Sequence, residues 1–194
     1  SVNSVHDMAE SVGGKNTAPM KSLKTICNDA MRQKRLIHFL PPYRHDIKIQ
    51  IFDLLGVHPV QQKEAASMDL IKAVVKMRST KEAQEIEELE RASVIGYKMH
   101  TTAMRLTKPG LTEKYVAGHV DGTANSYGAM VSFPTIFSQH GEIMHGSPSM
   151  SELESGRLVL CDCGGETINN YCSDHTRTFP VNGKFTQRQL EIYS

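Results

Sequence analysis

Apolar positions recur at helical spacing through the first two thirds of the chain and in short extended runs through the last third. Residues 1–19 carry a weak helical pattern that breaks at Gly13 and Gly14. Over residues 20–33, Leu23, Ile26, Cys27, Ala30 and Met31 fall three or four positions apart, the stripe of an amphipathic helix. Residues 35–40 read as a strand ended by Pro41-Pro42, and Ile47, Ile49, Ile51, Leu54 and Leu55 form a second apolar segment closed by Gly56. Strand alternating with helix suggests a small α/β unit. Two helices are predicted over 61–77 and 80–106, with Ser79 and Glu82 at capping-box spacing. The domain boundary is expected at that break, dividing the chain into 1–77 and 78–194.

Along the second of these helices Ile86, Leu89, Ala92, Ile95, Met99 and Met104 keep one face apolar, while Glu82, Glu85, Glu87, Glu88, Glu90 and Lys98 are expected to face water. Pro109-Gly110 ends it, and Thr112 with Glu113 opens another that runs to about Tyr127. Strands follow at 130–138, 157–163 and 171–181, then a short helix with a Thr186 cap. Helices followed by consecutive strands give an α+β fold class for the second part.

Composition narrows the function. With 39% hydrophobic and 22% charged residues the chain can bury a core. Lys plus Arg (22) nearly cancels Asp plus Glu (21), so bulk charge offers no handle for nucleic acid. No apolar run has the length of a membrane span, and residues 1–20 lack a signal-peptide core, so no membrane partner and a cytoplasmic setting are expected. The start at Ser1 suggests a piece of something longer.

The strongest chemical signal is Asp162 and Asp174 on two facing segments. A hairpin centred on Ile168 sets them opposite each other on one face, where two carboxylates repel unless a cation neutralises them. Oxygen ligands favour hard divalent ions such as Mn²⁺ or Mg²⁺. The competing reading is two solvated carboxylates on an edge hairpin, against which stands the apolar run Leu158–Leu160 that feeds Asp162.

The stretch Asp162-Cys163-Gly164-Gly165-Glu166, followed by Cys172-Ser173-Asp174-His175-Thr176-Arg177-Thr178-Phe179-Pro180-Val181-Asn182-Gly183-Lys184-Phe185, resembles the first half of the metal site of Xaa-Pro aminopeptidases. These are the aminopeptidase P and prolidase branch of the pita-bread metallopeptidases. Arg78-Ser79-Thr80-Lys81 leading into Glu85-Ile86 resembles the start of that catalytic domain, and Ile143-Met144-His145 the segment bearing a substrate-binding histidine. The resemblance covers 78–194, and more loosely 20–77 as the end of the creatinase/prolidase N-terminal α/β domain.

It implies two divalent metal ions, Mn²⁺ expected, activating water for attack on the peptide bond of a substrate with proline in second position. Asp162 becomes a chelating ligand, Asp174 a bridging ligand, His145 a substrate contact that stabilises the oxyanion, and Thr176 a neighbour steadying Asp174. The family usually has Ala where this chain has Cys163 and Gly165, and Phe133 stands where some members present a Tyr. The family's other ligands, a His and two Glu, and its general base fall beyond Ser194. The 194 residues alone are therefore expected to be inactive, and with an uncovered half-sheet to form a homo-oligomer. The alternative is a non-catalytic binding or assembly protein on the same scaffold.

Other motifs are weaker. Cys161, Cys163 and Cys172 could form a thiolate zinc site but lack its C-x₂₋₄-C pairing and a clear fourth ligand, and are expected instead to be small buried hydrophobes. His140-Gly141-Glu142 matches half of a zinc deaminase signature without its P-C-x-x-C partner. No H-E-x-x-H, G-x-G-x-x-G, Walker A or G-x-S-x-G motif is present.

Overall fold

The computed structural model describes residues 5–11 and 13–194, so the Ser1 start lies outside the described residues. The chain divides into two compact units, Ser1–Thr80 and Lys81–Ser194.

In the first unit the described regular elements are helical: α1 (Val5–Ser11), a 3-10 turn at Met20–Ser22, α2 (Leu23–Arg32), α3 (His45–Leu55), α4 (Gln62–Ala65) and α5 (Met68–Ser79). The strand expected at 35–40 is irregular chain. Ile37 and Phe39 are half-buried between exposed neighbours, but no strand among the described residues pairs with them, and alternation without a partner makes no ladder. The apolar segment 47–55 is the helix α3. Its Ile47, Ile49, Ile51 spacing fits period two, yet Lys48, Ile51 and Leu55 make the covered face, and Gly56 ends it in the left-handed conformation (φ 71°). The expected helix 61–77 is broken at Ala66-Ser67, where the Ser67 side chain accepts from the Leu70 N–H and caps α5.

The second unit carries the α+β architecture. Helices α6 (Ala83–Leu106) and α7 (Glu113–Ser126) are followed by β1 (Met130–Val131), β2 (Ile136–Ser138), β3 (Leu158–Cys163), β4 (Gly165–Glu166), β5 (His175–Pro180) and α8 (Gln187–Tyr193). The capping box forms three residues later than expected: Glu82 and Glu85 cap α6, while the Ser79 hydroxyl donates to the Val75 carbonyl within α5. The buried stripe of α6 is Glu88, Ala92, Ile95, Gly96, Met99, His100 and Ala103. Ile86 and Met104 are exposed, and Glu88, expected in water, is buried and pairs with Arg91 at 2.6 Å.

Two antiparallel sheets form, β1 with β4 and β2-β3-β5. The single strand expected over 130–138 is split at 132–135, and the last strand starts at His175 rather than 171. Met99, Val116, Val120, Phe137, Leu153, Val159, Cys161, Cys163 and Val181 are fully buried in the core of this unit. Among the described residues no helix is long and apolar enough to cross a membrane.

Candidate metal centre

Register decides which side chains meet. β3 and β5 pair Cys163 with His175, Asp162 with Thr176 and Cys161 with Arg177, and Glu166 bridges Cys172. The hairpin therefore centres on Asn169, one residue beyond the expected Ile168. Asn170 supplies the reason: it adopts a left-handed conformation (φ 62°), and the Thr167 N–H donates to the Tyr171 carbonyl at 2.9 Å, which closes a three-residue loop. The acidic start of α6 holds that loop, with the Tyr171 hydroxyl donating to Glu85 at 2.8 Å. Hydrogen bonds from Thr167 and Asn169, with Arg91 nearby, hold the Glu88 carboxyl below its ordinary pKa against the opposing effect of burial.

Asp162 thus faces Thr176, not Asp174. By the same count Asp174 stands opposite Gly164, on the Asp162 side of the hairpin and one diagonal step away. The Thr176 hydroxyl donates to Asp162 Oδ1 at 2.9 Å, so Thr176 steadies Asp162 rather than Asp174. Asp174 makes no hydrogen bond or ion pair among the described residues. Its position follows from a close backbone approach. A Cβ at Gly164 would lie 1.7 Å from the Ser173 carbonyl oxygen, and the Gly165 N–H donates to the buried Ser173 hydroxyl at 3.0 Å.

Asp162, Asp174 and His145 line one pocket of about 440 Å³, with Phe133, Pro134, Thr135, Ile136 and Pro148 among its walls. His145 arrives on a loop whose ends are tied to Glu113. That carboxylate is 2% exposed and accepts from the Ser138 hydroxyl (2.8 Å), the Gln139 N–H (2.9 Å), the Ser149 N–H (3.0 Å) and the Ser149 hydroxyl (2.7 Å). Burial pushes its pKa up, but these four donors outweigh it and hold the carboxyl below its ordinary value. Gln139 extends the tie, donating to the Glu152 carbonyl and accepting from the Glu154 N–H, each at 2.9 Å. Thr135 is fixed by its hydroxyl donating to Asp121 at 2.6 Å.

A metal suits this donor set. Two carboxylates on one face, Asp162 half-buried and Asp174 exposed, provide hard oxygen ligands for a divalent cation, while the exposure of Asp174 also lets water solvate it.

Cys161 and Cys163 are buried on the other face of β3 beneath α6, and Cys172 is exposed. Cys163 Sγ lies 3.5 Å from His100 Nε2 and 3.9 Å from Cys161 Sγ. The Cys161 thiol and then His100 draw the Cys163 pKa down against burial, whereas Cys161 is pushed up by its bond to Cys163 and by burial. His140 and Glu142 of the deaminase-like triplet form an exposed pair at 3.1 Å.

The comparisons with known proteins agree with this reading of the fold. Residues 87–194 match metallopeptidase family M24, and the chain belongs to that family. Its architecture is the α+β arrangement of the aminopeptidase P catalytic domain, the pita-bread fold expected from the motifs. The Xaa-Pro aminopeptidase of Escherichia coli (strain K12) is 42% identical over 132 residues, which are 66% of this chain and 30% of that protein. An uncharacterized peptidase of Staphylococcus saprophyticus is 33% identical over 162 residues, 77% of this chain and 46% of the other. Among solved structures, Escherichia coli aminopeptidase P in complex with substrate aligns with a TM-score of 0.76 at 30% identity, covering 95% of this chain and 44% of that one. Prolidase from Pyrococcus furiosus aligns with a TM-score of 0.60 at 32% identity, covering 69% and 41%. The chain spans less than half the length of these relatives.

Proposed function

We propose that this chain contributes half of the active site of a metal-dependent Xaa-Pro aminopeptidase, which removes an N-terminal residue preceding proline. The observation that carries the proposal is the convergence of Asp162, Asp174 and His145 on one pocket in a chain of this family. Asp162 and Asp174 would hold divalent ions, with two Mn²⁺ ions expected from the family resemblance. When bound, such ions supply Lewis acidity and lower the pKa of water. Thr176 keeps Asp162 in one orientation by donating to its Oδ1. His145 donates a hydrogen bond to the oxygen on which charge develops as the peptide carbonyl is attacked. Phe133, Pro134, Ile136 and Pro148 offer an apolar wall suited to a proline ring.

By resemblance a His and two Glu ligands and the general base come from sequence after residue 194, so the isolated chain is expected to bind Mn²⁺ weakly and not to turn over. Supporting self-association, β5 is an edge strand and α8 exposes Ile192 and Tyr193. The test is a fusion of this chain to the portion of the Escherichia coli Xaa-Pro aminopeptidase that follows the matched region. Xaa-Pro cleavage with Mn²⁺ is expected, abolished in Asp162→Asn and Asp174→Asn. Cleavage indifferent to both substitutions would overturn the assignment.

A further inference from the structure

Strand β3 presents opposite chemistries on its two faces. Asp162 offers hard oxygen to the pocket, while Cys161 and Cys163, on either side of it, turn sulfur toward α6. His100 meets the two thiols from α6, and the three ligand atoms lie within 4.8 Å of one another. A tetrahedral ion bound at ordinary zinc–sulfur and zinc–nitrogen lengths sets two sulfurs about 3.8 Å apart and sulfur about 3.5 Å from nitrogen. The observed separations are 3.9 Å for Cys161 to Cys163 and 3.5 Å for Cys163 to His100.

We propose that His100, Cys161 and Cys163 form a three-ligand site for a soft divalent cation of the zinc class, separate from the carboxylate pair across the strand. The third ligand is a histidine from α6 rather than Cys172, which is exposed. His100, though neither cysteine, lines a pocket of about 320 Å³ together with Tyr97, Met104, His175 and Arg177, so the approach to the site is on the histidine side. A fourth ligand would have to enter from that side, as a water would.

The proton balance is explicit. Binding releases the two thiol protons and moves the His100 proton from Nε2 to Nδ1, so that the Nε2 lone pair meets the ion. The cost is the present hydrogen bond from His100 Nε2 to the His175 carbonyl at 2.8 Å. Nδ1 is buried and has no partner in the present state, so the transfer breaks no bond there but exchanges an unpaired acceptor for an unpaired donor, which adds to that cost. Two thiolates and an imidazole favour zinc over the hard ions suited to Asp162 and Asp174. The site does not depend on the peptidase reading.

Cobalt(II) is the probe. Titration of the purified chain is expected to give one equivalent with a thiolate-to-cobalt charge-transfer band and tetrahedral visible bands. These should persist in Asp162→Asn, Asp174→Asn, Cys27→Ala and Cys172→Ser, and vanish in Cys163→Ala and His100→Gln. Circular dichroism verifies that each variant is folded. X-ray absorption of the zinc-loaded wild-type chain, which needs no variant, is expected to show two sulfurs in the first shell. An all-oxygen/nitrogen shell, or a charge-transfer band that survives Cys163→Ala, would overturn the proposal; reduced thiols that merely pack would give no band at all.

Discussion

Glu113→Ala removes the acceptor on which both ends of the His145 loop converge. Two of its four donors, the N–H groups of Gln139 and Ser149, are fixed by the backbone and cannot turn to another partner, while the Ser138 and Ser149 hydroxyls can rotate. A hydrogen bond to a charged group contributes about 1.5–3 kcal/mol, so losing the two fixed bonds costs about 3–6 kcal/mol. At roughly 4 °C per kcal/mol for a unit of this size, the melting temperature falls by about 12–24 °C. Glu113→Gln keeps the shape but turns one acceptor into a donor that faces donors, and about 2 kcal/mol is expected.

The pH dependence has a definite sign. Because the folded pKa of Glu113 is lowered, its contribution is complete above the unfolded carboxyl value of about 4.3 and is lost as pH falls through the folded value. The gap between wild type and Glu113→Gln should therefore be widest at neutral pH and shrink below about pH 4.3. Urea denaturation followed by circular dichroism measures the gap, and hydrogen exchange should show the Gln139 and Ser149 amides deprotected in the alanine variant. A gap that is the same at pH 3 as at pH 7, or a loss under about 1 kcal/mol for Glu113→Ala, would refute the tether.

Gly164→Ala drives a Cβ to within 1.7 Å of the Ser173 carbonyl, a backbone atom that cannot yield, and is expected to destabilise by about 3 kcal/mol or more in chemical denaturation. Gly165→Ala meets Ile95 Cγ2 at 2.4 Å and Ile95 Cβ at 3.2 Å, on a buried β-branched side chain in the middle of α6 that has little freedom to turn away, and should also cost about 2–3 kcal/mol. Thr176→Val removes the hydroxyl that orients Asp162 and should weaken Mn²⁺ binding by about 10-fold in calorimetry with little change in stability; an unchanged affinity would deny it that role. Light scattering should find the chain self-associated through its uncovered strand edges, and a clean monomer would count against that expectation.

What the sequence made legible was set by local rules. Thr112 followed by Glu113 marked a helix start and the side chain of Thr112 caps α7, but the burial of Glu113 under a distant loop has no local signature. Asp162 and Asp174 were identifiable from their motif, yet their register was missed by one hairpin step because Asn170 at positive φ selects the loop length. Parity was preserved, so both carboxylates still reach the same pocket while Thr176 changes partner. In the first unit, segments 35–40 and 47–55 both carried period-two apolar positions. Pairing is a non-local fact that such positions cannot specify, and one segment became irregular chain and the other a helix. His100 has no sequence signature of its own, since a lone histidine in a helix is silent, although its place four residues after Gly96 puts it on the buried stripe of α6.

Crystals of the chain soaked with Mn²⁺ and measured at the manganese absorption edge test the carboxylate pair directly. The expected result is an anomalous peak within coordination distance of Asp162 and Asp174 in the pocket that His145 lines, absent in Asp162→Asn. A peak bound elsewhere, or a pocket that stays empty of manganese while Asp174 turns to a protein partner, would contradict the assignment of a metal centre to these residues.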